Sequence, residues 1–247
     1  MQRYFINSAP QATITLPDDV AQHLLKVMRA QAGTQIEVVL DDHRVYLAKL
    51  TENQHLKLLR QLPNNSELPV KATLICGIPK TKEKPEIIVQ KATELGADRI
   101  IFFEAARSVS HWNGKKQARK LLRLQKIAQG AAEQSHRNYI PTIEYAGSLE
   151  EVIAANLAPV RLVAWEESAK QGETSALHHQ FTQLQNGDEV AVVFGPEGGL
   201  TDQEVQLMEA HKFIPVGLGP RILRTETAPL YFMAALSYAV ELASPVQ

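Results

Sequence analysis

The chain has 247 residues, 45% of them hydrophobic and 21% charged, with a formal net charge of −1. That composition is globular and suffices for one large or two modest domains, and no stretch approaches the roughly 18 apolar residues of a membrane span. The start, Met1-Gln2-Arg3-Tyr4-Phe5-Ile6, lacks the apolar run of a secretion signal, and the single Cys76 excludes an internal disulfide, so a soluble cytoplasmic protein is expected.

Residues 1–70 read as mostly strand with one helix. The segment 12–16 alternates apolar and polar residues as a strand does. Pro17-Asp18-Asp19 opens a helical pattern that places Val20, Leu24, Val27 and Met28 on one face and runs to Gly33. Segments 36–40, 45–50 and 55–59 are short strands between turn residues, a spacing that suits a small barrel. Pro63-Asn64-Asn65-Ser66-Glu67-Leu68-Pro69 is the expected linker, dividing the chain into domains 1–70 and 71–247.

Beyond the linker, strands expected at 72–78, 99–104, 159–165, 189–194 and 213–218 alternate with helices at 83–95, 115–134, 148–156, 201–211 and 226–243. Such alternation predicts an α/β domain with a parallel sheet covered on both faces. The last helix is apolar nearly all round, from Ala228 to Leu242, so burial on several sides is expected, by the domain, a partner subunit or both.

Charge is unevenly placed. Lys plus Arg against Asp plus Glu number 7 and 7 over residues 1–70, 14 and 6 over 71–140, and 5 and 14 over 141–247. The positive middle segment is a candidate contact for a polyanion; a solvated helix face is the plainer alternative.

Two glycine loops carry the chemistry. The strand 190–194 runs into Gly195-Pro196-Glu197-Gly198-Gly199, and Thr201 with Glu204 three residues on reads as a capping box that opens a helix. Loops at the carboxyl ends of parallel strands are where open α/β sheets hold ligands. Neither the phosphate loop of NTPases nor the dinucleotide fingerprint is present. The second loop, Gly217 to Ala228, again follows a strand and precedes a helix. Its Arg221 and Arg224 stand in an otherwise acidic segment, at a pocket mouth or paired with nearby carboxylates.

Gly195-Pro196-Glu197-Gly198-Gly199, followed by Leu218-Gly219 and Arg221-Ile222-Leu223-Arg224-Thr225-Glu226-Thr227-Ala228, closely resembles the signature of the ribosomal RNA small subunit methyltransferase E family of the SPOUT superfamily. Lys91-Ala92-Thr93-Glu94-Leu95-Gly96, Arg107-Ser108-Val109, the stretch from Ala132 through Arg137 to Ile140-Pro141, and His23 to Arg29 resemble further family segments, so the likeness spans nearly the whole chain. His136 stands where glycine is common, Asp41-Asp42-His43 replaces a glycine-rich turn, and Lys84-Pro85 replaces a lysine segment with methionine.

The resemblance implies an N-terminal PUA-like β-barrel that helps bind RNA, a C-terminal domain with a deep trefoil knot, and a homodimer with cofactor sites near its interface. It implies methylation of uridine N3 in 16S ribosomal RNA, within the assembled small subunit, with S-adenosylmethionine as donor. The cofactor is then expected among Trp165, Glu166, Phe194, Gly195, Pro196, Glu197, Gly198, Gly199, Leu218, Gly219, Ile222, Leu223 and Arg224.

N3 of uridine is protonated at neutral pH, so catalysis needs a proton acceptor and a cation beside O2 and O4. Arg224 is the first candidate cation and Arg137 the second. Glu226 or Glu197 would accept the proton if its pocket raises its pKa, with helix capping as the alternative role of Glu226. The expected phosphate contacts are Arg3, Lys26, Arg29, Arg107, Lys115, Lys116, Arg119, Lys120 and Arg123. His23, His111 and His136 lack metal-ligand spacing, so no metal is expected. The competing readings are ribose 2′-O-methylation, a non-catalytic RNA-binding assembly factor and, more weakly, an oxidoreductase.

Overall fold

The computed structural model describes residues 1–155, 158–166 and 175–243. The chain forms two compact units, Met1–Glu67 with Ala132–Tyr139, and Leu68–Ala131 with Ile140–Gln247. The division falls inside the proline-flanked linker, between Glu67 and Leu68. Residues 132–139, which chain order assigned to the second domain, belong to the first unit.

In the first unit, β1 (Arg3–Phe5), β2 (Thr13–Thr15), β3 (Gln35–Val39), β4 (Val45–Leu50) and β5 (His55–Leu62) make one sheet in the order β1-β3-β4-β5-β2. β1 runs parallel to β3 and the other pairs are antiparallel. β1 was not anticipated; three residues are too few for a period to show. β1 and β2 form the sheet's edges, so the expected barrel is a sheet open along one side. Tyr4, Ile14, Leu24, Ile36, Val38 and Leu56 fill its core.

Helix α1 (Asp18–Ala21) continues as a π-helical turn, Gln22–Val27. Val20 and Leu24 are buried as expected, but Val27 is 64% and Met28 51% exposed. The helix closes on a wide turn, with Met28 N–H donating to His23 O, and Arg29 leaves it at φ 52°. The apolar face therefore ends at Leu24, well before Gly33.

The second unit holds β6 (Lys71–Gly77), β7 (Arg99–Phe103), β8 (Thr142–Ala146), β9 (Val160–Ala164), β10 (Glu189–Phe194) and β11 (Ile214–Val216), all parallel, in the order β11-β9-β10-β6-β7-β8. One face of the sheet packs Ala72, Leu74, Cys76, Val190 and Val192 against α2 (Glu83–Glu94), α3 (Gly114–Gln134) and α7 (Thr227–Ser237). The other packs Ile75, Val163, Ala191 and Val193 against α4 (Leu149–Ala155) and α6 (Asp202–Ala210). Strands buried on both faces read as unbroken apolar runs, which is why they were legible. The edge strand β8 alternates only weakly and was missed, as was α5 (Ala176–Gln183).

β9 lies between β10 and β11, so after β10 the chain passes back across its own earlier strand. α7 runs into a second π-helical turn, Tyr238–Ala243. Phe232, Met233, Leu236 and Val240 are buried, whereas Tyr231, Tyr238 and Leu242 are exposed.

Candidate active site

Parallel register brings the carboxyl ends of the strands to one edge of the sheet. The loops there pack with almost no room. A Cβ added at Gly77 would lie 2.6 Å from Pro196 Cδ and 2.7 Å from Pro196 N; one at Gly195 would lie 2.9 Å from the backbone of Gly199 and Leu200. Only glycine permits this approach of backbone to backbone. Arg107 braces the loop, its Nη1 donating to Gly198 O (3.0 Å) and Leu200 O (3.3 Å). Thr201 and Glu204 form the expected capping box at the start of α6. The other oxygen of Glu204 accepts from Ala106 N–H (2.8 Å), so one buried carboxylate ties two loops together.

Against this frame sits a polar cluster. Lys84 Nζ, on α2, lies 2.8 Å from Glu197 Oε1 and 3.1 Å from Glu226 Oε2. Lys80 N–H donates to both oxygens of Glu197 (3.2 and 3.0 Å). Glu226 Oε2 is buried without a hydrogen bond, and the lysine charge compensates it. Hydrogen bonding to Glu197 holds the Lys84 ammonium above its ordinary pKa. Burial pushes both carboxyls up. For Glu197, the bonds from Lys84 and from backbone amides outweigh burial; for Glu226, its own backbone bond and the charges of Lys84 and Arg224 do. Both sit below the ordinary range. This corrects the expectation of a carboxylate tuned toward neutrality: as placed, both are ionised and weakly basic.

The RNA methyltransferase domain family matches residues 66–237, and the RNA methyltransferase PUA domain family matches residues 16–58. A Bacillus subtilis protein named ribosomal RNA small subunit methyltransferase E is 41% identical over 252 residues, covering 98% of each chain. The chain belongs to the ribosomal RNA small subunit methyltransferase E family. A family member from Neisseria gonorrhoeae, solved bound to S-adenosylmethionine, is 29% identical with a TM-score of 0.83, covering 96% of this chain and 97% of that one. A putative methyltransferase from Legionella pneumophila, also solved with that cofactor, is 28% identical with a TM-score of 0.82 over the same shares.

The residues expected from the family's signature divide into groups. Gly195 to Gly199 form the tight loop and Glu226 joins it through Lys84. Leu218 and Gly219 border an open cleft of about 960 Å³ walled by α5, α7 and the final turn, with Phe181, Tyr231 and Tyr238 on its sides. Trp165 is half-buried against the second core face, and its N–H donates to Val216 O (3.1 Å), joining the ends of β9 and β11. Glu166, Arg221 and Arg224 are exposed, Leu223 is partly buried, and Ile222 is 78% exposed rather than a floor for adenine. Phe194 is buried and packs edge-on against Phe232, ring centroids 6.0 Å apart, so its side chain belongs to the core and only its backbone can face a ligand. Glu226 makes no side-chain cap on α7, which removes the capping alternative.

Two arginines are placed otherwise than expected. Arg3 and Arg137 are buried in the first unit. Arg3 donates to Glu37 Oε2 from Nε (2.9 Å) and Nη2 (2.7 Å), and Arg137 pairs with Glu67, its Nε donating at 3.0 Å. As placed, neither reaches a phosphate or a uracil; both hold the first unit together. Lys26 and Arg29 are exposed on the same unit. On α3, Lys115, Lys116, Arg119 and Arg123 are exposed, Lys120 is half-buried, and Arg123 pairs with Glu86 (2.6 Å). Lys84, which joins the two carboxylates, was missed; its only signal was its place in the lysine-rich run Lys80-Thr81-Lys82-Glu83-Lys84.

Proposed function

We propose that this chain transfers the methyl group of S-adenosylmethionine to N3 of a uridine in 16S ribosomal RNA, within the assembled small subunit. The observation that carries the reading is a glycine cradle with two ionised carboxylates at its mouth, in a chain that belongs to this family over its full length. S-adenosylmethionine bears a sulfonium and an ammonium against one carboxylate. Net positive charge suits a site where two carboxylates, Glu197 and Glu226, share the single ammonium of Lys84. The backbones of Gly195 to Gly199 and of Leu218 to Leu223, with Trp165 as a wall, would hold the group; bound there, it supplies an activated methyl.

The chain's own residues then have to favour loss of the N3 proton. With both glutamates held below their ordinary range, basicity is not the main lever. A fixed cation beside O2 or O4 is. Arg224 is exposed at the start of α7, where its carbonyl accepts from the first amides of that helix, and its charge already acts on Glu226. N3 lies on the pairing edge, so the base must leave its helix to reach the site. Lys26, Arg29 and the α3 cations Lys115, Lys116, Arg119 and Lys120 serve as phosphate contacts, while Arg107 is engaged with the glycine loop and Arg123 with Glu86. The exposed apolar residues Tyr231, Tyr238 and Leu242 of the last helix support a homodimer. The chain's place of action would be the cytoplasm, where the ribosomal RNA its relatives are named for is found; among the described residues no helix is long and apolar enough to cross a membrane.

The test is to incubate unmodified small subunits with labelled cofactor and identify the nucleoside by mass spectrometry. N3-methyluridine is expected; a ribose-methylated nucleoside, or no transfer by a folded protein that binds the cofactor, overturns the reading. Arg224→Ala should lower turnover about 100-fold or more, the scale of a lost oxyanion donor, with cofactor affinity retained. Unchanged turnover removes Arg224 from the chemistry.

A further inference from the structure

Away from the glycine loops, the second unit carries a pocket of about 400 Å³ between the segment that follows β6 and the first turns of α3. Its cations are Lys80, Lys82, Lys120 and Arg123, and its acids Glu83 and Glu86. Arg123 and Glu86 neutralise each other through two hydrogen bonds (2.6 and 3.0 Å). The unit's other ion pairs among described residues fall elsewhere, leaving Lys80, Lys82 and Lys120 without a carboxylate at pairing distance.

Lys120 is held in place. Its Nζ sits 4.7 Å from the centroid of the Trp112 ring. That ring is buried, 5.2 Å from Phe102 and 6.2 Å from Tyr145, and the backbone N–H of Trp112 donates to Glu104 Oε1 (3.1 Å). Burial first, then the charges of Lys82 and Lys116, push the Lys120 ammonium below its ordinary range. Lys82 and Lys120 stand close enough for their charges to act on one another, and an anion between them relieves that repulsion.

We infer that this pocket seats a phosphodiester of the RNA strand that carries the target uridine, held between Lys82 and Lys120. The inference rests on the RNA methyltransferase reading and adds a defined strand contact to it. The cofactor is the wrong occupant, because its net positive charge is repelled here and attracted to Glu197 and Glu226. One short segment joins the two places: Lys80 N–H and Lys84 Nζ both bind Glu197, and Lys82 lies between them in sequence. A phosphate held at Lys82 therefore sets the register of the strand against the methyl-transfer site.

The test compares Lys82→Met/Lys120→Met with wild type by anisotropy, using a labelled 16S RNA fragment over a range of salt. Methionine keeps an unbranched stem above Trp112. A control pair, Lys71→Met/Lys212→Met, removes the same charge at the opposite ends of β6 and β11. The inner pair should weaken RNA binding at least tenfold at low salt and lower the slope of log K against log salt by about 1, the share of one phosphate no longer neutralised. Cofactor affinity by calorimetry should change less than twofold, and the control pair should leave the slope as in wild type. Unchanged RNA affinity in the inner pair, an equal loss in the control pair, or a loss of cofactor affinity in place of RNA affinity overturns the inference. If Lys120→Met lowers the melting temperature, Lys82→Met alone, at an exposed position, must still weaken RNA binding at low salt and lower the slope, and an unchanged slope overturns the inference. Wild-type protein that binds the cofactor but no RNA would sink the functional reading itself, a result distinct from failure of the pocket.

Discussion

Lys84 holds two carboxylates that lie more than a hundred residues from it in the chain. Glu197 and Glu226 have lowered folded-state pKa values, so the stability they confer is present above the unfolded carboxyl range, near 4.3, and lost as pH falls below it. Lys84 is raised, so its share is present below about 10.4 and lost as pH rises beyond. Lys84→Met should therefore cost about 1 kcal/mol at pH 7 in urea titrations, with the gap to wild type closing toward pH 3 and above pH 11. A gap constant across that range would show that packing, not charge, is what Lys84 supplies. Arg137 makes a different prediction. Arg137→Ala leaves the partly buried Glu67 with only the N–H groups of Asn138 and Tyr139 and should cost about 3 kcal/mol, read as a loss of folding rather than of turnover alone. His136, beside it, adopts φ 59°, a left-handed backbone conformation that favours glycine, so His136→Gly should be tolerated there.

Among the elements, the loops that meet the sheet edge are limited by space. Gly77→Ala puts a methyl group against the Pro196 backbone and should cost roughly 1–3 kcal/mol while weakening cofactor binding, because the loop itself must move. Gly130, inside α3, has nothing within 4 Å of an added Cβ, so Gly130→Ala should stabilise by about 0.5–1 kcal/mol, measured in the same denaturation series. Thr201→Ala removes one half of the capping box and should cost about 1 kcal/mol. Glu204→Ala should cost more, since the same side chain also binds Ala106 N–H. Equal losses at Thr201 and Glu204 would mean that the tie to the 105–107 loop contributes nothing. The capping box was readable in advance because it depends on neighbours in the chain, a cap and its partner three residues on; the tight approach at Gly77 and the tie from Glu204 to Ala106 were not, since both join distant segments. The wide turn that exposes Val27 and Met28 was not, since an apolar periodicity does not distinguish α from π winding.

For the whole molecule, the last helix gives the sharpest prediction. Tyr238 and Leu242 are exposed and apolar, and the proposed homodimer would bury them, so Tyr238→Glu should lower the mass seen in sedimentation to that of a single chain; an unchanged mass would exclude that face as the interface. The alternation of strand and helix, the linker and both glycine loops were legible from residue order. A parallel sheet buried on both faces writes itself as apolar runs, and helix starts are marked by caps. Pairing and burial were not legible. Residues 132–139 join the first unit, Arg3 and Arg137 lie inside it, β11 sits beyond β9, and Lys84 meets Glu197 and Glu226, all through distances that chain order does not encode. Local backbone geometry follows from adjacent residues, so sequence alone determined most of the elements and the two glycine loops, with β1, β8, α5 and the π-helical turn after α1 the exceptions. The charge state and availability of each site residue follow from which distant groups surround it, and only the tertiary structure decided those.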